Sequence, residues 1–397
     1  MRAKSKAVGK QPGPGVPRIA VLVDTSSSWG RRVHTGIHKF ARKHGPWQLF
    51  VENRGLEQTL RVPAGWKGDG VIARVGSVAM ARELSALKVP VVNVSGIELS
   101  EGEFPRVSND LKASAVLAAQ HFMQRGFQHF AYFSLRGLSY VAKHQQAFVD
   151  AVIRAGGDFA SFAVKPMAGA EPDWNLDLAK LGEWLKSLPK PVAILTWNAS
   201  SAREIIYGCQ VAGLLVPEEV AVLSGSDDEL LCELSAVPIS GILVGAERIG
   251  HQAAHLLHNL LQGRAAPKRE VLVPPLTIVR RQSTDTLAIR DRALVRALSF
   301  IRENASRAIQ VSDVAQHSGV SRRVLERRFL EELGRSPATE IRRTHLELAR
   351  QLLVETDMPI PEVAEASGFG SPEYLAYVFR TDTGKTPRRY RTEIRGR

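Results

Sequence analysis

Cysteine is scarce in this chain of 397 residues, which contains only Cys209 and Cys232. Two thiols make no disulfide framework, so we expect a reducing compartment in which both pack as small apolar residues. No apolar run approaches the roughly 18 residues that a membrane span needs. The basic N-terminus also lacks the apolar segment of a signal peptide. These absences predict a cytoplasmic protein without a membrane partner.

The motifs of common enzyme sites are also missing. The segment Asp24–Gly30, which follows the first predicted strand, has neither the dinucleotide-binding nor the P-loop spacing of glycines. We find no nucleophile elbow and no paired catalytic carboxylates. The sequence therefore predicts no catalytic residue, no metal and no other cofactor. A sugar kinase or hydrolase is the enzyme alternative, and turnover of a sugar would support it.

Positive charge is abundant but uneven. The net charge is +13, and residues 288–397 hold 20 basic and 15 acidic residues. All but one of these basic residues are arginines, which favour bidentate contacts with phosphate and guanine. Residues 1–17 combine basic residues with glycine and proline, which predicts a disordered N-terminal tail.

The last third of the chain contains one short pattern twice, about fifty residues apart. Each copy ends on glycine, a basic residue, a hydroxyl residue and proline, at 334–337 and again at 384–387. A repeat identifies one structural unit that is used twice. The other matching pairs are Ala315 and Ala364, Ser318 and Ser367, Gly319 and Gly368, Ser321 and Ser371, and Phe329 and Phe379.

The repeated unit has the pattern of a helix-turn-helix. In the first copy a short apolar stripe precedes Gly319, which suits a left-handed helix end, and Ser321 can cap a second helix. In the second copy Gly368 and Ser371 take these places, with Pro372 at the first helical position. We therefore predict helix-turn-helix units at 311–333 and 360–383, each placing its second helix in a DNA major groove.

A long helix is predicted between the units, from Ala338 to Val354. Its 17 residues span roughly 25 Å, which suits two reading helices in successive major grooves on one face of DNA. The polar faces of the two reading helices supply the candidate DNA contacts. These are Ser321, Arg322, Arg323, Glu326 and Arg327 in the first unit, and Ser371, Glu373, Tyr374, Tyr377 and Arg380 in the second.

These motifs resemble the DNA-binding domain of the AraC family of transcription regulators over residues 290–397. The matching segments include Gly319-Val320-Ser321, Leu325 to Phe329 and Gly334 to Pro337 in the first unit. Gly368-Phe369, Phe379-Arg380 and Gly384 to Pro387 match in the second. The resemblance implies a double-stranded DNA partner. The alternative is that this helical region serves only protein contacts.

Apolar β-rich runs alternate with amphipathic helices between residues 18 and 285. Continuous Val/Ile runs bounded by turns are typical of buried parallel strands, and the alternation predicts a doubly wound α/β architecture. The predicted strands are Ile19–Val23, Gln48–Glu52, Gly70–Ala73, Val89–Val94, Phe130–Phe133, Val192–Thr196 and Val220–Leu223. The predicted helices are Arg31–Arg42, Lys112–Arg125, Gln145–Ala155, Leu178–Ser187, Ala202–Ala212 and Glu247–Gln262.

This region resembles the sugar-sensing domain of lactose-repressor-type regulators, which is built like a two-lobed periplasmic binding protein. Val107 to Asp110, Arg125 to Ala131 and Val216 to Val222 carry the match. A sensor followed by an AraC-type domain resembles the xylose-regulator (XylR) type, and Asp228 to Leu234 fits that group closely. The implied organisation is a tail at 1–17, a sensor at 18–285, a linker at 286–289 and a DNA-binding domain at 290–397.

The effector site is expected beyond the carboxyl ends of the parallel strands. Trp29 and Tyr140 either stack on a sugar ring or belong to the lobe core, and His144 is expected as a polar group at a hinge or helix start. The candidate ligand-binding residues are Ser26, Trp29, Arg74, Gly96, Asp110, Tyr140, His144, Asn198, Ser226 and Asp227.

The sequence departs from the family pattern at three pocket positions. The family has aspartate at the places of Ala199 and Ser226 and a side-chain amide at the place of Val244. Each lost hydrogen bond is worth about 0.5–3 kcal/mol. We therefore expect a ligand other than D-xylose, less hydroxylated, or no tight ligand.

The resemblance implies a ligand-controlled transcription regulator of carbohydrate-related genes, with activation as the family's usual output. A homodimer formed through the sensor and a contact with RNA polymerase are the further expected partnerships. Effector binding would favour one closure state of the sensor and re-aim the reading helices.

Overall fold

The computed structural model describes residues 15–51, 60–62, 65–100, 102–135, 138–164, 174–286, 288–289 and 291–395. Most of the predicted N-terminal tail, residues 1–14, therefore lies outside the described residues. The chain divides into two compact units, here called unit 1 and unit 2. Unit 1 runs to residue 285 except for 218–220, and unit 2 comprises 218–220 and the chain from 286. No helix in the described ranges combines the length and the apolar character that crossing a membrane requires.

Unit 1 begins with a lobe built on a four-stranded parallel sheet of order β2-β1-β3-β4. Helices α1 and α8 pack together on this sheet. The strands are β1 (Arg18–Leu22), β2 (Gln48–Val51), β3 (Gly70–Ala73) and β4 (Val91–Asn93), and the helices are α1 (Ser28–His44), α2 (Val78–Ala86) and α8 (Ala246–Leu261).

The second lobe of unit 1 is built on a six-stranded sheet of order β12-β10-β9-β8-β6-β7. Its strands are β6 (His129–Leu135), β7 (Asp158–Val164), β8 (Val192–Thr196), β9 (Val220–Ser224), β10 (Ser240–Leu243) and β12 (Thr277–Val279). Its helices are α3 (Leu111–Met123), α4 (Ser139–Arg154), α5 (Trp174–Ser187), α6 (Ala199–Ala212) and α7 (Glu229–Glu233). A short 3-10 turn, Gln282–Thr284, ends the unit.

The chain crosses between the two lobes three times. It leaves the first lobe after β5 (Val107–Asn109), returns between β10 and α8, and leaves again after β11 (Val271–Val273). Strands β5 and β11 pair in parallel at these crossings. Three separate connections allow two rigid lobes to change their separation around a site between them.

Glycines set the close packing of α1 against α8. A Cβ atom on Gly36 would lie 2.0 Å from the carbonyl oxygen of Glu247, and a Cβ on Gly250 would lie 2.0 Å from that of Val33. Any side chain at either position would force the helices apart, because packed interiors leave no room for an added methyl group. The two helices are therefore held at a fixed, short separation in the first lobe.

The prediction of parallel α/β sheets followed by a helical domain is confirmed, with differences in detail. Strand β12 pairs antiparallel with β10 and closes one edge of the second sheet. Helix α1 begins three residues before its predicted start because Ser27 accepts a hydrogen bond from the Gly30 N–H and caps it. The strands β5, β7, β10, β11 and β12 and the helices α2 and α7 had not been predicted.

Unit 2 is helical in its described residues from 291 onward. Phe329 and Phe379, the matching aromatics of the sequence repeat, are both fully buried. The helices are α9 (Arg292–Glu303), α10 (Val311–Ser318), α11 (Arg322–Leu333), α12 (Pro337–Glu355), α13 (Ile360–Ala366), α14 (Pro372–Thr383) and α15 (Pro387–Arg395). The predicted long central helix is α12, which is one residue longer at each end.

Candidate functional sites in the two units

A cavity of about 500 Å³ lies between the two lobes of unit 1. Its wall is made largely by residues that follow the carboxyl ends of β1, β3, β4, β8, β9 and β10, as expected for an α/β fold. The size falls within the range of small-molecule sites. This cavity is the candidate effector site.

Nine of the ten predicted ligand-binding residues line this cavity. They are Ser26, Trp29, Arg74, Gly96, Tyr140, His144, Asn198, Ser226 and Asp227. Asp110 is the exception, because it caps α3 instead, where its Oδ1 accepts a hydrogen bond from the Ala113 N–H at 2.8 Å. The neighbouring Ser108 and Asn109 take the place on the wall that had been expected for Asp110.

The wall of the first lobe is organised by a carboxylate that sequence reasoning missed. Asp24 is buried two residues after the end of β1, and its Oδ1 accepts hydrogen bonds from the Ser26 hydroxyl and from the amide and hydroxyl of Ser27 at 3.0–3.1 Å. Its Oδ2 lies 3.6 Å from the Arg74 guanidinium, which stands 5.6 Å over the ring of Trp29. An aspartate at a strand end before several serines was the available signal.

The wall of the second lobe is aromatic. The hydroxyl of Tyr132 and Nδ1 of His144 are 2.7 Å apart in the lobe interior. Burial lowers the pKa of His144 to about 4, so this imidazole is neutral at pH 7. Trp197, which had not been predicted, packs its ring against Tyr140 at 5.0 Å and against His144 at 5.5 Å. Tyr140 and Trp197 offer a ring-stacking surface.

Polar groups of the second lobe are largely engaged with the protein itself. Asn198 caps α6 by accepting a hydrogen bond from the Ser201 N–H at 2.9 Å, which leaves its amide donors available. Asp227 is nearly buried and receives a hydrogen bond of 2.7 Å from Arg281. Asp227 therefore lies at the cavity with one carboxylate oxygen already paired.

Contacts between the lobes lie next to the cavity. The backbone N–H of Ser28 in α1 donates to Asp228 at 3.2 Å, and the Ser28 hydroxyl donates to the Asp227 carbonyl at 3.4 Å. Arg32 lies 3.8 Å from the Asp227 carboxylate. The first turn of α1 therefore contacts the β9–α7 loop across the lobes, where a ligand could alter the closure.

The two helix-turn-helix units of unit 2 have the predicted local chemistry. Gly319 and Gly368 adopt φ values of +72° and +74° at the turns. Ser321 and Ser371 cap the following helices by accepting from the N–H groups of Val324 and Tyr374. These capping predictions are confirmed. The matching Ser318 and Ser367 are buried and donate to carbonyls one turn back, at 2.6 and 2.5 Å.

The candidate DNA contacts lie at the exposed faces and starts of α11 and α14. Arg322, Arg323 and Arg327 are exposed on α11, and Arg322 pairs with Glu326 at 2.9 Å. On α14 the side chains of Tyr374 and Tyr377 are 45% and 69% exposed, so neither is packed in the core. Glu373 and Arg380 are exposed beside them, and Ser371 is half-buried.

One arginine of α11 has a structural partner. Both carboxylate oxygens of Asp291, the residue that caps α9, accept from Arg328 at 2.8 and 2.6 Å. Arg328 therefore ties α11 to the start of α9 instead of extending toward a ligand. The exposed cationic set of the first reading helix is Arg322, Arg323 and Arg327.

Known proteins resemble this chain over nearly its full length. Family models match as the XylR N-terminal domain at residues 18–111, a periplasmic binding protein-like domain at 119–284 and a helix-turn-helix domain at 314–393. The xylose operon regulatory protein of Escherichia coli K12 is 31% identical, with 94% of this chain and 96% of that protein covered. The protein of that name from Haemophilus influenzae is 29% identical over 94% of this chain and 98% of its own length.

A solved structure also matches nearly the whole chain. The structure of the xylose-binding transcription activator XylR is 30% identical, covers 95% of this chain and 98% of its own, and superposes with a TM-score of 0.79. The sequence resemblance to the xylose-regulator type is thereby confirmed. The chain belongs to the XylR family of DNA-binding transcription regulators, which join a periplasmic-binding-protein-like sensor to a helix-turn-helix domain.

Proposed function

We propose that this regulator reads DNA with α11 and α14 together and changes its DNA affinity when a sugar-like effector occupies the cavity of unit 1. The observation that carries the proposal is the pair of capped, exposed helices that repeat one pattern in unit 2. Helix α12, which joins the two reading units, is about 28 Å long at 1.5 Å per residue. That length suits two successive major grooves on one face of a duplex.

The two reading helices should contribute differently. Helix α11 presents the exposed Arg322, Arg323 and Arg327, whereas α14 presents Tyr374 and Tyr377 with Arg380. The DNA affinity that arginine–phosphate contacts supply falls as the salt concentration rises. The affinity that aromatic contacts supply lacks this salt dependence. The first helix is therefore expected to supply most of the electrostatic affinity, and the second to supply apolar contacts with bases or sugars.

The proposed effector is a sugar-like small molecule, as in the relatives that are named for xylose. Ala199, Ser226 and Val244 all line the cavity. The departures from the family pattern thus fall on its wall, and their loss of hydrogen-bonding groups supports an effector other than D-xylose. The inter-lobe contacts of Ser28 with Asp227 and Asp228 offer a means by which occupancy changes the closure.

The proposed setting is the cytoplasm, where a homodimer formed through the sensor would activate transcription through a contact with RNA polymerase. The proposed domain boundaries are those predicted from the sequence. They give a tail at 1–17, a sensor at 18–285, a linker at 286–289 and a DNA-binding domain at 290–397. Sedimentation of the purified chain at micromolar concentrations tests the dimer, and a monomer at all concentrations would contradict it.

DNA binding is tested by selecting duplexes from a random-sequence pool with the full chain and measuring affinity by fluorescence anisotropy. Arg323→Ala and Arg380→Ala should weaken binding, and Arg323→Ala should lower the salt slope by about one unit per lost phosphate contact. Arg42→Ala removes the same charge from an exposed position of α1 and is the matched control. Equal affinity and salt slope in all variants would contradict the proposed role of unit 2.

A further inference from the structure

Cationic hydrogen-bond donors are concentrated on one side of the cavity of unit 1. Arg31, Arg32 and Arg74 all line it from the first lobe. A guanidinium carries five N–H donors and no acceptor. Arg31 uses one of its terminal nitrogens for the backbone carbonyls of Thr25 and Ser26, at 3.0 and 2.8 Å.

Arg74 is the best placed of the three to meet a ligand. Its guanidinium stands over Trp29 and lies 3.6 Å from Asp24, which is longer than a hydrogen bond. Its side chain is 39% exposed, so its remaining donors are accessible from the cavity. A cation over an indole face is held in position by the ring, which favours a preorganised contact.

Tyr140 adds a donor from the opposite lobe. Burial raises the pKa of its phenol against the opposing field of Arg74, so this hydroxyl keeps its proton at neutral pH. Asn198 carries further N–H groups on the wall. The indole N–H of Trp29 and Oδ1 of Asn109 are both buried, and neither has a hydrogen-bond partner among the described residues. The donors of both lobes therefore surround the same space.

The carboxylates that line the cavity are already occupied. Asp227 accepts from Arg281 at 2.7 Å with one oxygen and faces Arg32 at 3.8 Å with the other. Asp228 accepts from the backbone N–H groups of Ser28 and Leu231 at 3.2 and 3.4 Å. A neutral polyol needs acceptors for its hydroxyl protons, and each oxygen of these two carboxylates already faces a donor of the protein.

We propose that the effector is a small hydroxylated anion, either a sugar acid or a sugar phosphate, whose anionic oxygens pair with Arg74 between Trp29 and Tyr140. The inference rests on the proposed function, in which this cavity is the effector site. Anionic oxygens would satisfy several N–H donors at once, and charge-assisted bonds of this kind are about twice as strong as neutral ones. The hydroxylated chain would contact the serines and the aromatic wall formed by Tyr140 and Trp197.

The test is calorimetric titration of the full chain with D-xylose, D-xylonate and D-xylose 5-phosphate, with acetate and inorganic phosphate as simple anions. One of the two sugar anions should bind roughly tenfold or more tightly than D-xylose, and added salt should weaken that binding. Whichever anion binds identifies the carboxylate or the phosphate as the recognised group. Equal binding of a simple anion would overturn the role of the hydroxylated chain.

Substitutions of Arg74 test whether this residue binds the anionic group. Arg74→Gln should weaken binding of the sugar anion roughly tenfold or more, whereas Arg42→Gln should leave that binding unchanged. Arg74→Lys keeps the charge opposite Asp24 and should retain part of the affinity, which provides a folded comparison. Tryptophan fluorescence melts check that each variant is folded.

Two results would overturn the inference. One is D-xylose binding as tightly as both sugar anions, and the other is anion binding that Arg74→Gln leaves unchanged. The inference also fails if neither of the two sugar anions binds. Affinity for the selected duplex, measured on the same preparations, separates this failure from failure of the proposed DNA-binding function.

Discussion

Replacing Gly368 by alanine should destabilise unit 2 far more than the same change at Gly319, although the two glycines occupy equivalent turns. Both have left-handed backbones, with φ of +74° and +72°. A Cβ on Gly368 would lie 2.7 Å from the carbonyl oxygen of Arg307 and 2.9 Å from that of Ala305. At Gly319 the nearest atom would be a side-chain nitrogen of Arg296, at 3.7 Å.

The magnitudes follow from these surroundings. A left-handed alanine costs about 1–2 kcal/mol, and the loss of unfolded-state freedom on replacing glycine returns about 0.4–1 kcal/mol. Gly319→Ala should therefore lower the free energy of unfolding by about 1 kcal/mol. Gly368→Ala adds a clash with backbone oxygens that cannot rotate away, and overpacking of this kind costs about 1–3 kcal/mol more.

The assay uses the distribution of tryptophan. All six tryptophans lie between Trp29 and Trp197, so tryptophan fluorescence follows unit 1, whereas circular dichroism at 222 nm follows helices of both units. During urea unfolding, Gly368→Ala should lower the midpoint of the dichroism change assigned to unit 2 and leave the fluorescence midpoint unchanged. Equal shifts for Gly319→Ala and Gly368→Ala would refute the reasoning from backbone clashes.

Three further predictions concern single groups. Because burial holds the pKa of His144 at about 4 instead of 6.5, the native protein should lose about 3 kcal/mol of unfolding free energy, relative to His144→Gln, as pH falls from 6.5 to 4. Between pH 7 and 8, urea unfolding followed by fluorescence should show a constant difference in unfolding free energy between the native protein and His144→Gln. Gly250→Ala, whose methyl group would meet the carbonyl of Val33, should lower the fluorescence midpoint, and an unchanged midpoint would contradict the close packing of α1 and α8. Arg328→Ala breaks the paired contact with Asp291 and should cost about 1–3 kcal/mol while leaving the salt slope of DNA binding intact; a reduced slope would identify Arg328 as a phosphate contact.

The helix-turn-helix units could be predicted closely because their signals are local. Caps at Ser321 and Ser371, left-handed glycines and prolines at first helical positions act within a few residues of the chain. Because the pattern is repeated, most of these signals occur in both helix-turn-helix units. The environment of Gly368 could not be predicted, because the carbonyls that surround it come from the segment after α9, more than sixty residues earlier.

The position of the cavity in unit 1 was predicted by a rule about strand ends, which named nine of its wall residues. Sequence position alone could not distinguish Asp110, which caps a helix, from Asn109, which lines the wall. It also could not show that Asp227 is paired with Arg281, because these residues meet only through the fold. Trp197 and Asp24 were missed, although each directly follows a strand or lies within two residues of its end.

The most direct test of the central claim is a hydroxyl-radical footprint of the full chain on a selected duplex. Each chain of the proposed dimer should protect two segments about 10 base pairs apart on one face of the DNA, one for each reading helix, so that every half-site shows a pair of protected segments. Arg323→Ala should weaken protection of one segment, and Tyr377→Ala should weaken protection of the other. A single protected segment, or the same loss in both variants, would contradict a chain that reads two successive major grooves.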